Sequence, residues 1–402
     1  MALIVQKYGG TSLADPERIK AIARRVVEEH RKGHQLVVVV SAMGDTTDRL
    51  VELAHQVSKN PPRREMDMLL SVGERISIAL LAMAISDLGV QAISFTGSQV
   101  GIITDTRHTE ARILEVRAHR IREELDRGKI VIVAGFQGVS INKEITTLGR
   151  GGSDTTAVAL AAALQADRCE LMKDVDGIFV AEPRLVPNVQ LNPRLSYDEM
   201  IEMANLGAGV LKTESVEVAK HYRVKVAVGN SFTGRIGTII TDKSLDSSAV
   251  RGIVGQKELA WIRLPLPEPP AAHLHQLNQQ LVEARVKMQH FSLTDGAVWL
   301  AFHRRFLPDF NRCLQASPLL SRLNLKPQVD ETSGMVAIIG TGLNFNSETA
   351  GRVFQALENL SCPTENLQVS ELKITFRLPA SRVDPTIQFL YQQLLERTSC
   401  ED

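Results

Sequence analysis

Several short stretches of the chain carry residues able to do chemistry. In KYGGTSL, Lys7 stands just before the pair Gly9–Gly10 and directly after an apolar run. Glycines let a backbone approach a ligand closely, and a helix start beyond them offers free N–H groups to an anion. Lys7 would meet a phosphate there as a point charge. The same residues also fit a plain strand-to-helix turn. In VVVVSAMGDTTDRL, Ser41, Gly44 and Thr47 lie just past an apolar strand. They form either a rim of hydroxyls and amides or the surroundings of a helix capped by Asp45 or Thr46. In AGFQGVS and TTLGRGGSDTTAVALAAAL, Gly149, Gly151 and Gly152 surround Arg150, and Asp154 stands at the start of a very apolar helix. This is more glycine than a turn requires. Such a loop could admit phosphate oxygens, and its arginine could grip a carboxylate in bidentate fashion.

Two further stretches are more evenly balanced. In LMKDVDGIFVAEPRLVP, Asp174 and Asp176 follow a strand and precede Gly177. Carboxylates at a strand end can hold ribose hydroxyls or a hydrated magnesium ion, and they are equally good turn formers. In EMDMLLSVGERISIALLAMAI, Gly73 and Glu74 fall inside a helix with an apolar face. A mid-helix glycine costs about 1 kcal/mol relative to alanine, so Gly73 is expected to admit a close neighbour. Glu74 could receive a substrate ammonium group, or pair with Arg75 or Arg64.

The elements that must position these residues alternate strand and helix through the first 240 or so residues. Strands are expected over Ala2–Lys7, Gln35–Ser41, Ala92–Thr96, Ile130–Ala134, Glu170–Asp174 and Lys225–Val228. Helices are expected over Glu65–Leu88, Glu110–Asp126, Thr155–Gln165 and Ser215–His221, and one starts with Asp15 as N-cap and Pro16 in its first turn. This order points to an α/β fold with a mainly parallel sheet between helices, which binds ligands at the carboxyl ends of its strands. Beyond about residue 250 the order becomes βαββαβ-like in two rounds: strand Glu258–Leu264, helix Ala271–Arg285, strands Lys287–Leu293 and Ala297–His303, then strand Met335–Gly340, helix Ala350–Asn359, strand Leu372–Leu378 and helix Pro385–Glu396. A tandem pair of small α+β modules is expected, serving regulation or dimerisation. Pro265–Pro270 must be a loop.

Bulk composition excludes several classes. A chain of 402 residues should form two or three domains. With 44% hydrophobic and 23% charged residues it has the make-up of a globular protein. Lys+Arg 46 against Asp+Glu 46 argues against a large nucleic-acid surface. No apolar run reaches the roughly 18 residues that span a bilayer, and no signal peptide is visible. Cys169, Cys313, Cys362 and Cys400 have no metal-like spacing, as expected of reduced thiols in a cytoplasmic protein.

KYGGTSL, SAMGDTTD, EMDMLLSVGERIS, SFTGSQVGI, IVAGFQGV and LGRGGSDTTAVALAAAL, in this order and spacing, resemble aspartate kinases of the amino-acid kinase superfamily. The resemblance is strong over residues 1–200 and weaker from 205 to 402. It implies a three-layer αβα kinase domain over residues 1–245, then two ferredoxin-like ACT modules over 255–330 and 331–402, the second completed by residues near 246–256. It implies transfer of the γ-phosphoryl of MgATP to the β-carboxylate of L-aspartate, in a homo-oligomer joined through the ACT modules. Lys7 and Asp154 become the catalytic pair, with Lys7 neutralising charge. Lys7, Gly9, Gly10, Thr11, Ser12, Ser41, Asp174, Asp176 and Arg184 go to the nucleotide. Thr47, Glu74, Phe136, Arg150, Gly151, Gly152, Ser153 and Asp154 go to the substrate, Arg150 on a carboxylate and Glu74 on the amino group. No residue is assigned as a protein ligand to metal.

The sequence also departs from the family pattern. Lys173 and Val180 replace hydroxyl-bearing residues and Phe179 replaces a tyrosine. Gly209 stands where a lysine is usual, Glu214 where an arginine is usual, and Ala227–Ser231 where a basic stretch is usual. Fewer cations and donors near the triphosphate are therefore expected, unless Lys212 reaches back. PLPEPP, GTGLNFNSETAG and NLQVSELKI lack the usual effector-loop residues, so weakened feedback control is expected. The alternative is a catalytically impaired or repurposed homologue that binds an amino acid but binds ATP poorly.

Overall fold

The computed structural model describes residues 1–149, 151–243, 249–266, 271–283, 286–294, 296–315, 326–344, 347–360 and 362–396. Arg150 and most of the Pro265–Pro270 stretch lie outside them. The chain divides into two compact units: residues 1–179, 191–204 and 209–245 form the first, and 180–190, 205–208 and 246–402 the second.

Eight strands form the main sheet of the first unit, in the order β10 (Arg194–Ser196), β12 (Ile236–Thr241), β11 (Val226–Asn230), β9 (Arg168–Lys173), β1 (Leu3–Tyr8), β2 (Gln35–Val40), β6 (Ile130–Ala134) and β3 (Ala92–Phe95). All neighbours run parallel except β11 and β12. β2 and β6 are buried along nearly their whole length. Burial on both faces explains why they read as unbroken valine and isoleucine runs and not as alternation. One buried cluster joins Ile4, Leu36, Val38 and Ile132 to Ile22 and Val26 of α1 (Pro16–Arg31) and to Leu81 and Ile85 of α3 (Arg63–Ser86). Asp15 caps α1 as expected, its Oδ1 accepting from Arg18 N at 2.9 Å.

α3 amends the expectation about apolar length. Over an 18-residue window its mean hydropathy is 1.8, enough by length and composition to cross a membrane. It packs instead on α1, α2 (Thr46–Val57), β3 and β6, and it buries Asp67 and Glu74. These contacts account for the apolar character of its inward face without a span.

The helix expected over Glu110–Asp126 is corrected. Its first half contains β5 (Ile113–Val116), which pairs with β4 (Ile102–Thr104), and only α4 (His119–Asp126) is helical. β4 and β5 join β7 (Gln137–Ser140) and β8 (Ile145–Thr147) in a small second sheet. The backbone of this segment finds its partners across that sheet and therefore does not continue the helix. α5 (Gly152–Leu164), α6 (Tyr197–Asn205) and α7 (Thr213–Tyr222) complete the helices that this site needs.

Two four-stranded antiparallel sheets make up the second unit: β13 (Ala249–Gln256), β18 (Ser333–Thr341), β20 (Lys373–Pro379) and β19 (Glu365–Val369) in one; β15 (Met288–Thr294), β16 (Ala297–His303), β14 (Leu259–Pro265) and β17 (Gln328–Asp330) in the other. Helices α8 (Ala271–Glu283) and α9 (Leu307–Gln315) accompany the second sheet, and Leu277, Leu281, Phe310 and Leu314 fill its core with Ile262, Leu300 and Phe302. α10 (Glu348–Glu358) and α11 (Val383–Tyr391) follow strands of the first. β13 precedes β14 in the chain, yet it pairs with β18. These are two ferredoxin-like α+β modules of the ACT type.

Candidate active site

The carboxyl ends of β1, β2, β6, β9 and β11 lie side by side, as parallel register requires. Lys7 is level with Val39 and with Leu171. Beyond the strand ends the backbone stays connected: Ser41 N donates to Tyr8 O at 3.1 Å, Gly135 N to Val40 O at 2.9 Å, and Ser231 N to Lys173 O at 2.7 Å. The predicted motifs therefore emerge at one edge of one sheet.

Asp154 is the centre of charge. It falls in the first turn of α5, which packs on β1, β9 and β2. Its carboxylate is 2% exposed and holds two ammonium groups: Lys7 Nζ is 2.7 Å from Oδ1 and Lys173 Nζ is 2.5 Å from Oδ2. Burial would raise the Asp154 carboxyl, but the two lysines outweigh it and bring it down to about 2. Burial pushes the Lys7 ammonium below its ordinary range; Asp154 pulls it back and Lys173 pushes it down again. Two lysines thus share one buried carboxylate.

The KYGGTSL loop wraps this centre. Gly10–Leu13 is a single 3-10 turn, and a side chain on Gly9 would come within 3.6 Å of Lys7 Nζ. Ser12 is buried and donates to Ser231 Oγ at 2.7 Å, while Thr11 is exposed. Ser41 Oγ donates to Ser153 Oγ at 3.0 Å, which ties the end of β2 to the start of α5.

Glu74 reaches the same edge from α3. A Cβ on Gly73 would lie 2.7 Å from Ala42 Cβ, so the glycine is what lets the helix touch the loop after β2. Glu74 Oε1 then accepts from Ala42 N at 3.1 Å. Its Oε2 is buried with no hydrogen-bond partner among the described residues. Burial pushes the carboxyl up to about 7, against the hydrogen bond from Ala42. Thr47 stands in the first turn of α2, half-buried. Asp45 is at the N-cap position of that helix but makes no side-chain cap bond.

Phe136 has φ 68°, a region that bulky residues rarely enter. It is held there because its N–H donates to Thr156 Oγ1 at 3.1 Å and its carbonyl accepts from Leu148 N at 2.8 Å. Strain of this kind concentrates at ligand sites. Gly151 and Gly152 turn the chain into α5, with Gly151 at φ 73°. The stem of Lys212 lies over Gly151, where a Cβ would be 2.5 Å from Lys212 Cγ. Buried Asp67 braces the neighbouring strand, accepting from Thr147 Oγ1 at 2.6 Å, from Thr109 N at 3.0 Å and from His108 Nδ1 at 2.6 Å.

Not every expected residue joins this centre. Asp174 and Asp176 leave the end of β9 exposed, and Asp176 Oδ1 accepts from Asn230 Nδ2 at 2.7 Å. Arg184 belongs to the second unit, with its side chain 94% exposed and 4.0 Å from Glu182. Arg150 is outside the described residues. The expected loss of cations is corrected in one respect: Lys173, which looked like a lost hydroxyl, brings an ammonium into the centre. Ser231 and Asn230 were also missed. The usable signal was their place at the carboxyl end of β11, which runs parallel to β9.

Residues 2–230 match the amino acid kinase family. Over 404 residues, 98% of this chain and 96% of the relative, the sequence is 44% identical to the aspartokinase of Mycolicibacterium smegmatis. It is 44% identical over 384 residues to that of Geobacillus stearothermophilus, covering 93% of each chain. The chain belongs to the aspartokinases of the amino acid kinase family. The structure of E. coli aspartokinase III in complex with aspartate and ADP superposes with a TM-score of 0.83 at 25% identity, covering 98% of this chain and 99% of that one. The chain is accordingly a kinase. The departures at Lys173 and Gly209 occur within a chain that aligns with its aspartokinase relative over 98% of its length.

Proposed function

We propose that this aspartokinase transfers the γ-phosphoryl of MgATP to the β-carboxylate of L-aspartate, giving 4-phospho-L-aspartate. The observation that carries this is the buried Asp154 with a lysine ammonium on each oxygen, at the sheet edge also reached by Glu74, whose carboxyl burial pushes up to about 7. An acceptor oxygen attacks the γ-phosphorus while the bond to the β–γ bridging oxygen breaks and ADP leaves. A carboxylate with an ordinary pKa near 4 is already ionised at neutral pH, so no proton has to be removed. The protein's task is positioning and charge neutralisation. Lys7 supplies positive charge in a buried setting, where it counts for more than in water. Asp154 positions that charge. Glu74, losing its proton, receives the substrate ammonium group, and Arg150 holds a carboxylate. Phe136, Thr47 and Gly151–Ser153 line the amino-acid side, and Gly9–Ser12, Ser41, Asp174 and Asp176 the nucleotide side.

Among the described residues no group of three or more His, Cys, Asp or Glu could hold a metal. A Mg²⁺ ion would be held largely by the nucleotide's phosphates, with Asp174 and Asp176 as the carboxylates offered to it. The ion would share the neutralisation of phosphate charge.

We propose a kinase domain over residues 1–245 and ACT modules over 255–330 and 331–402, the pairing of the strand at Ala249–Gln256 with β18 supporting its assignment to the second module. The modules are proposed to join copies of this chain. Supporting this, Leu367 and Val369 on edge strand β19 and Phe291 and Leu293 on edge strand β15 are exposed. We propose weakened feedback control because Ser347 and Glu348 stand at the start of α10 in place of the residues usual in an effector loop. The working site is cytoplasmic amino-acid biosynthesis, toward lysine.

Calorimetric titration with ATP and aspartate, separately and together, tests the reading. Micromolar ATP binding that persists with aspartate present is expected. Aspartate binding without ATP binding would favour an impaired homologue, the reading that open Gly209, with nothing within 4 Å of a Cβ there, would support.

A further inference from the structure

Lys7 and Lys173 do not stand equally toward solvent. The Lys7 side chain is 7% exposed and lies beneath Gly9, whereas Lys173 is 16% exposed at the last residue of β9. Asp154 can neutralise only one of the two. Lys173 shares the Asp154 carboxylate, and its carbonyl accepts Ser231 N at 2.7 Å, with Ser231 bonded in turn to Ser12. Its backbone is therefore fixed to the loop that carries Gly9 and Gly10, while its ammonium ends a flexible four-carbon stem. We propose that Lys173 is a second phosphate-binding cation, turning from Asp154 Oδ2 to the β- and γ-phosphate oxygens when nucleotide enters. Asp154 then keeps Lys7 alone, so no buried charge is left unpaired, and the site delivers two cations where one carboxylate had held both. This rests on the reading of that sheet edge as the nucleotide site.

The test compares the parent protein with Lys173→Met and Lys173→Arg. Each is titrated with ADP, ATP and adenosine and assayed for aspartate phosphorylation, with melting temperature recorded. Losing one charge-assisted contact should weaken ADP and ATP by roughly 10- to 100-fold and lower kcat. Adenosine affinity and the KM for aspartate should not change, and Lys173→Arg should recover most of the loss. Wild-type affinity for ADP and ATP in Lys173→Met, with an active parent, would overturn the proposal alone. Equal weakening of adenosine with a fallen melting temperature would show Lys173 to be structural and also overturn it. A parent that bound neither ADP nor ATP would remove the site itself, and the proposal with it.

Discussion

Glu74 shows how one carboxyl can serve both stability and binding. Its ordinary pKa is near 4.5 and its folded value is about 7. Between those values the folded state holds a proton that the unfolded chain has released, so stability falls as pH rises from about 4.5 to 7. Glu74→Gln should flatten that slope in thermal melts of the unliganded protein. An incoming ammonium reverses the preference, because it needs the ionised form. Aspartate affinity should therefore weaken below about pH 7, by at most about tenfold per pH unit, and calorimetry in buffers of different ionisation heat should record proton release on binding. A pH-independent affinity between 5.5 and 7 would show that Glu74 does not take the ammonium group. Asp154 is different in kind. Asp154→Asn would leave two ammonium groups without their anion, and breaking a buried pair this way costs about 3–5 kcal/mol. Its melting temperature should drop together with activity.

The elements matter through how closely they meet. α3 approaches the loop after β2 only because position 73 has no side chain. Gly73→Ala should push that loop away, lengthen the Glu74–Ala42 contact and destabilise by about 1–3 kcal/mol. A KM for aspartate raised more than that for ATP would mark the loop shift, and a variant with unchanged kinetics would contradict it. Much of this scaffold was legible in the sequence: the valine and isoleucine runs of β2 and β6, the Asp15–Pro16 start of α1, and the glycines around the site. Gly73 itself was legible as a close approach, though not the partner. What escaped was short or depended on neighbours. β5 at Ile113–Val116 shows neither strand alternation nor an apolar run, and only pairing with β4 makes it a strand. Lys173 escaped because spacing along the chain does not say which side chain of β9 turns toward α5. Arg184, assigned to the nucleotide from its motif, falls in the second unit.

At the scale of the whole molecule, a kinase unit carries a second unit of two antiparallel sheets that exchange strand order with chain order. β13, the first strand after the kinase unit, closes the sheet of the later module. The exposed apolar residues of β19 then matter for assembly. Leu367→Asp with Val369→Asp should lower the oligomeric state in sedimentation experiments and leave the melting of the kinase unit nearly unchanged. An unaltered sedimentation coefficient would place the contact elsewhere.

The most direct measurement is of the product's chemistry. Protein incubated with ATP, Mg²⁺ and L-aspartate in the presence of hydroxylamine should yield aspartyl hydroxamate in step with ADP, and neither should form without aspartate. ADP release with no hydroxamate, or no turnover at all from a folded protein that binds both substrates, would contradict phosphoryl transfer to the β-carboxylate.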